Sequence, residues 1–84
     1  MSRNLTELRA EISSIDEKIL ALLTERMNLS VLVALFKKSH NLPIFDPKRE
    51  EEMLLRYEEK VDFECSSIFR AIIDESKRIQ KGIL

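Results

Sequence analysis

Residues 4–40, NLTELRAEISSIDEKILALLTERMNLSVLVALFKKSH, decide the fold. The stretch holds no glycine or proline, and its apolar residues recur at alternating spacings of three and four: Leu5, Leu8, Ile12, Ile15, Ile19, Leu22, Leu29, Val33 and Phe36. That period belongs to a helix packed against another helix. Asn4 or Thr6 is placed to cap it, with Glu7 assisting from the first turn. It runs unbroken to about Ser39, a rod of roughly 50 Å at about 1.5 Å per residue. A chain of 84 residues has no need of so long a rod for itself, so the seam implies pairing between chains. One position of the seam is not apolar. Arg26 stands where a leucine belongs. A guanidinium keeps its charge at any ordinary pH, and leaving it unpaired in an apolar seam is costly. It has either an internal carboxylate partner, such as Glu50, or an anionic ligand.

Outward from this helix, His40-Asn41-Leu42-Pro43 breaks the pattern. Asp46-Pro47 opens a second helix, with aspartate as N-cap and proline in the first helical position. That helix carries Met53, Leu54 and Tyr57 and fades near Lys60. After a link around Val61-Asp62-Phe63, a third helix runs from about Cys65 to Lys81. Its stripe is Ile68, Phe69, Ile72, Ile73, Ile79 and Ile83, and Gly82 is a natural stop. The expected fold is all-α, three helices per chain, one long and two shorter, in an intertwined helical homodimer. Residues 1–84 form a single domain.

Composition bounds the function. The formal net charge of −1 gives no general attraction to nucleic acid. One cysteine permits no intrachain disulfide, and no metal-ligand cluster is visible, so neither metal nor cofactor is expected. No apolar run of about 18 residues suited to a membrane span is seen, and Met1-Ser2-Arg3-Asn4 begins no signal peptide. A cytoplasmic protein with no membrane partner is expected. So short a chain buries a small core and gains from oligomerisation.

Arg26 is not the only polar residue out of place. Ser76 and Gln80 lie four residues apart and continue the apolar line of the third helix, so both face the core or a pocket. Lys37 follows Arg26 by eleven residues, about three turns, and projects in nearly the same direction roughly 16 Å away. Arg49 sits in a helix's first turn, where the dipole disfavours a cation. Each has a plain structural explanation. Ser76 bonds its own preceding turn; Lys37 and Lys38 are a solvated pair at a helix end; Asp46 is only a cap. Lys77, Arg78 and Lys81 read as a solvated face, Cys65 as a small buried hydrophobe, His40 as a linker residue, and Met27 and Met53 as packing.

Taken in order, however, Leu8-Arg9, Ile12, Ile15-Asp16, Ile19, Leu22-Leu23, Glu25-Arg26, Val33, Lys37, then Ile44-Phe45-Asp46-Pro47-Lys48-Arg49-Glu50, then Ile72-Ile73 with Ser76 and Gln80, resemble the all-helical class of chorismate mutases over almost the whole chain. The segment between Glu50 and Ser76 is shorter than in the bacterial members, and Phe36 is bulkier than the small residue usual there. The resemblance implies a Claisen rearrangement of chorismate to prephenate, in phenylalanine and tyrosine biosynthesis, with no nucleophile, metal or cofactor. It implies that Arg9 and Arg26 grip the substrate carboxylates, with Ser76 assisting. Lys37 and Gln80 would donate to the ether oxygen and Glu50 would accept from the hydroxyl, while Asp46 and Arg49 shape that side of the pocket. Arg26, Lys37 and Gln80 are the residues assigned to catalysis. Arg9 and Lys37 are separated by about 42 Å of helix. If both serve one site, Arg9 comes from a second protomer whose first helix runs antiparallel, and two-fold symmetry then makes two equal sites. Two alternatives stay open: an isochorismate pyruvate lyase of the same fold, and a non-catalytic helical dimerisation or regulatory module.

Overall fold

The computed structural model describes residues 4–83. Three helices follow in order: α1 (Leu5–Ser39), α2 (Pro47–Glu58) and α3 (Ser66–Ile83). Asn4 is the cap of α1. Its Oδ1 accepts from the Glu7 backbone N–H at 2.9 Å, and its amide returns to the Glu7 carboxylate at 3.3 Å. The first bond satisfies one first-turn N–H that the helix cannot, and the second holds the cap side chain in place. At the other end Asn41 adopts a left-handed conformation, φ 53°, and the Leu42 N–H returns to the Lys37 carbonyl at 2.9 Å. A left-handed residue just past the cap with this bond is the Schellman way of ending a helix, and asparagine tolerates it better than most side chains. The turn brings the chain straight back beside Lys37.

Asp46 caps α2, accepting from the Arg49 N–H at 3.2 Å, with Pro47 in the first helical position. The short link between α2 and α3 is closed by one side chain. Glu58 Oε1, from the last turn of α2, accepts from the backbone N–H groups of Cys65 (3.1 Å) and Ser66 (2.7 Å) and from the Ser66 hydroxyl. These donors lower its pKa, the Ser66 hydroxyl most. A residue of the preceding helix thus caps α3. The sequence stop at Gly82 is corrected: α3 continues through it to Ile83, and a Cβ there would meet nothing within 4 Å, so the glycine imposes no end.

Packing departs from the apolar seam in an informative way. α3 lies on both α1 and α2. The core is Met53, Leu54 and Ile73, flanked by Tyr57 and Phe69, whose rings meet at 4.6 Å. From α1 the buried residues are Ser30 and Ala34, one position away from the seam residues Leu29 and Val33. One residue is about 100° of rotation. The seam itself is therefore open: Leu5, Leu8, Ile12, Ile15, Ile19 and Leu22 are exposed, and even Leu8 keeps 39% of its surface. α1 carries two apolar faces, one spent on α3 and one without a partner among the described residues, and Arg26 borders both. The chain measures 58 × 24 × 14 Å, so the amino-terminal half of α1 projects beyond the rest. The expectation of no membrane-length apolar segment needs correcting too. Although Glu25 and Arg26 interrupt it, α1 is long and apolar enough to cross a membrane by length and composition, with a mean hydropathy of 1.7 over its most apolar window.

Candidate active site

The concave side, where α1 and α3 meet the loop before α2, holds a cavity of about 630 Å³. That is within the range of small-molecule sites, roughly 300–1,000 Å³. Three turns of α1 supply Arg26, Ser30 and Lys37, one face by helical spacing. The loop supplies Ile44 and Asp46, the first turn of α2 Arg49 and Glu50, and α3 Ser76, Lys77 and Gln80. Of the eight residues singled out from the sequence, seven line this one cavity. Arg9 does not; it is exposed on the projecting half of α1.

At one end of the cavity the Lys37 ammonium donates to the Ile44 carbonyl at 3.0 Å and to Gln80 Oε1 at 3.2 Å. An ammonium has three donors, so one is left for a ligand. The Schellman turn positions this group by returning Ile44 to it. Gln80 is fixed from its other side, donating from Nε2 to Ser76 Oγ at 3.2 Å, and Ser76 meets Ser30 Oγ at 2.5 Å. Ser76 and Gln80 are buried. The explanation of Ser76 as a serine bonded to its own helix is thereby replaced: it is Ser30 that bonds the preceding turn, at the Arg26 carbonyl, 3.1 Å.

Arg26 is half-buried, and its guanidinium has no hydrogen bond or ion pair among the described residues. The internal partner considered for it, Glu50, is engaged elsewhere: Lys77 Nζ lies 3.2 Å from Glu50 Oε1. Reading Lys77 as part of a solvated face is thus overturned. Its ammonium also touches Asp74 at 3.7 Å and sits 4.7 Å from the centre of the Phe45 ring. Sequence reasoning missed both Ser30 and Lys77. The signal for Ser30 was present, four residues after Arg26 and seven before Lys37 on the same face, whereas Lys77 looks in sequence like its basic neighbours. Arg78 and Lys81 are the exposed residues of the group, Arg78 paired with Glu75 on the surface. Arg49 turns its side chain along α2 to the Met53 sulfur at 2.9 Å.

The charge balance of the cavity is informative. Arg26, Lys37, Arg49 and Lys77 face Asp46 and Glu50, a surplus of two positive charges. Such a cavity attracts a dianion, and its partly enclosed walls strengthen the attraction over that in open water.

A helical protein with this cavity has known counterparts. The chain belongs to the chorismate mutase type II family, which it matches over residues 8–81. It is 38% identical to the chorismate mutase of Methanocaldococcus jannaschii, over the whole of this chain and 91% of that protein. It is 47% identical to the bifunctional chorismate mutase/prephenate dehydratase of Aquifex aeolicus, over 94% of this chain but 24% of that longer protein. Among solved structures, a conserved hypothetical protein from Pyrococcus furiosus superposes with a TM-score of 0.82 at 41% identity, covering 95% of this chain and 99% of the other. The all-α fold expected from the helical period agrees with this relationship.

Proposed function

We propose that the protein is a chorismate mutase that works as a cytoplasmic homodimer in the making of phenylalanine and tyrosine. The observation that carries this reading is the single cavity in which Arg26, Lys37, Asp46, Arg49, Glu50, Ser76 and Gln80 meet with a surplus of two positive charges. The reaction is pericyclic, so the protein's task is to restrain and to stabilise. Chorismate must be held in the compact conformer in which its reacting carbons approach, and fixing that geometry can supply much of the rate enhancement. As the carbon–oxygen bond breaks, negative charge grows on the ether oxygen. Donors already aimed at that point stabilise the transition state more than the ground state. Lys37 and the amide of Gln80 are 3.2 Å apart and fixed by other bonds, which suits both to one oxygen. Arg26, unpaired among the described residues, takes a carboxylate. Glu50 accepts from the substrate hydroxyl through the oxygen that Lys77 does not hold. Asp46, through the cap it forms, sets the position of Arg49 and Glu50.

A second copy of the chain completes the site. The open seam of Leu5, Leu8, Ile12, Ile15, Ile19 and Leu22 needs cover, and burying such side chains is worth roughly 1.5–3 kcal/mol each. Antiparallel pairing of two α1 helices supplies that cover. It also carries Arg9 of each chain to the other chain's cavity, where it joins Arg26 as the second carboxylate clamp. Cys65 remains a free thiol, buried and with a raised pKa because burial disfavours the thiolate, as suits a reducing compartment. The decisive experiment follows the loss of chorismate ultraviolet absorbance on adding purified protein. The expected result is a saturable acceleration with prephenate as product; a rate equal to the uncatalysed one refutes the reading.

A further inference from the structure

Among the described residues the buried polar ones are Ser30, Ser76 and Gln80, and they touch in a row. Their hydrogen bonds have only one consistent direction. Ser30 gives its one hydroxyl hydrogen to the Arg26 carbonyl. Its contact with Ser76 must then be Ser76 donating. Having given its hydrogen to Ser30, Ser76 can only accept from Gln80, so Nε2 and not Oε1 of the amide faces it. Oε1 faces Lys37, which can only donate and so sets the same orientation from its own side. The chain runs from Lys37 through Gln80, Ser76 and Ser30 to the backbone of α1. Nε2 carries two hydrogens, and Ser76 takes one. The other is left for the cavity.

We propose that Ser30 is a positioning residue for catalysis: acting through Ser76, it holds the Nε2 end of the Gln80 amide in place, in the sense that Lys37 sets, and so keeps an N–H aimed at the substrate's ether oxygen. The Ser30 hydroxyl is engaged by the Arg26 carbonyl and by Ser76, so it acts through Ser76. Without its oxygen, the Ser76 hydroxyl loses the acceptor that commits its hydrogen. The Ser76 oxygen is then no longer held where it takes an Nε2 hydrogen; Lys37 still holds Oε1, so the amide keeps its sense but loosens, and its free N–H drifts from the point where charge develops. A donor that is no longer held in place stabilises the growing negative charge less. The loss falls on the chemical step and leaves ground-state binding of the carboxylates nearly intact.

The proposal rests on the chorismate mutase reading, and the test separates the two. Ser30→Ala keeps a good helix former in α1. The Ser30→Ala, Ser76→Ala and double variants are assayed with chorismate, with the folded fraction measured by urea unfolding. Ser30→Ala is expected to lower kcat about tenfold with KM within twofold, and to have less than a twofold effect in the Ser76→Ala background, because the row is already cut there. In parallel, nitrogen-15 spectra report the Gln80 side-chain amide, assigned by its absence in Gln80→Ala. In the parent the two protons are widely separated and one exchanges slowly; in Ser30→Ala they move toward free-amide positions. An unchanged kcat, or an equal loss in both backgrounds, overturns the proposal, as does an unmoved amide signal. A parent protein inert toward chorismate but showing the amide shift instead overturns the mutase reading and retains the ordering of Gln80 by Ser30.

Discussion

Lys77 and Glu50, on different helices, meet at 3.2 Å with four-fifths of each side chain covered. The pair joins α3 to the first turn of α2 at the wall of the cavity. Its ammonium is also held against the Phe45 ring, a contact that favours a cation over a neutral side chain. One carboxylate oxygen of Glu50 is thereby fixed, and the other is directed by default.

Lys77→Met removes the cation and leaves Glu50 without its ion-pair partner on a largely covered wall. Losing one partner of such a pair costs more than the pair contributes. KM for chorismate is expected to rise about tenfold, equivalent to about 1.4 kcal/mol, with a lowered Tm. Lys77→Arg retains charge and ring contact and should stay within a few-fold of the parent. Steady-state kinetics of the two variants, side by side, check this; equal losses in both would mean that bulk, not charge, matters at position 77.

Arg26 has the opposite character, since nothing in the described chain holds its guanidinium. Arg26→Ala is therefore expected to leave stability within about 0.5 kcal/mol of the parent while lowering kcat/KM about a hundredfold to a thousandfold. Urea unfolding and the chorismate assay on the same sample separate the two effects. A variant that unfolds but whose folded remainder is fully active would make Arg26 a structural residue.

The legibility of these features in the sequence followed the range of the forces behind them. Caps and breakers act over a few residues, so Asn4, Asp46-Pro47 and the turn at Asn41 could be read directly. Arg26, Lys37, Ser76 and Gln80 were visible as violations of an apolar period. What the period could not give was which face of α1 meets α3. Apolar residues lie on more than one side of that helix, and the face actually buried is one residue away from the more regular seam. Lys77 was hidden for a different reason. Beside Arg78 and Lys81 it looks like part of a solvated basic turn, and only the placement of Glu50 and Phe45 from another part of the chain reveals its role. The cap of α3 likewise comes from Glu58, across a link whose path no local rule dictates.

Glu58 gives the fold a pH dependence. Its carboxylate accepts from the Ser66 hydroxyl and from two backbone N–H groups, which hold its pKa below the usual carboxylate value. A group whose pKa is lower in the folded chain contributes stability that is complete above its unfolded pKa and is lost as pH falls through the folded one. Thermal unfolding should therefore show the parent losing Tm as the solution is acidified below the ordinary glutamate range. Glu58→Gln should have a lower Tm at neutral pH and a flatter acid limb. Parallel acid limbs in the two proteins would remove Glu58 from the account.

The distance along α1 makes the sharing of sites between chains testable without a structure of the assembly. Arg9 and Lys37 are separated by about 42 Å of helix, so no one chain brings both to a small ligand. If each site takes Arg9 from one chain and Lys37 from the other, Arg9→Ala and Lys37→Ala homodimers are both nearly inactive. A heterodimer of the two variants has one site with both defects and one with neither. Unfolding the variants together in urea and refolding them as a mixture should therefore restore about a quarter of the parent activity for random two-fold pairing, whereas mixing without unfolding restores it only as fast as subunits exchange. A companion variant, Ile12→Asp, places a charge in the open seam and should convert the proposed dimer to monomer on a sizing column, with loss of activity. Activity restored to no more than the average of the two variants would mean that each cavity is built from one chain, and that the seam on α1 has some other cover.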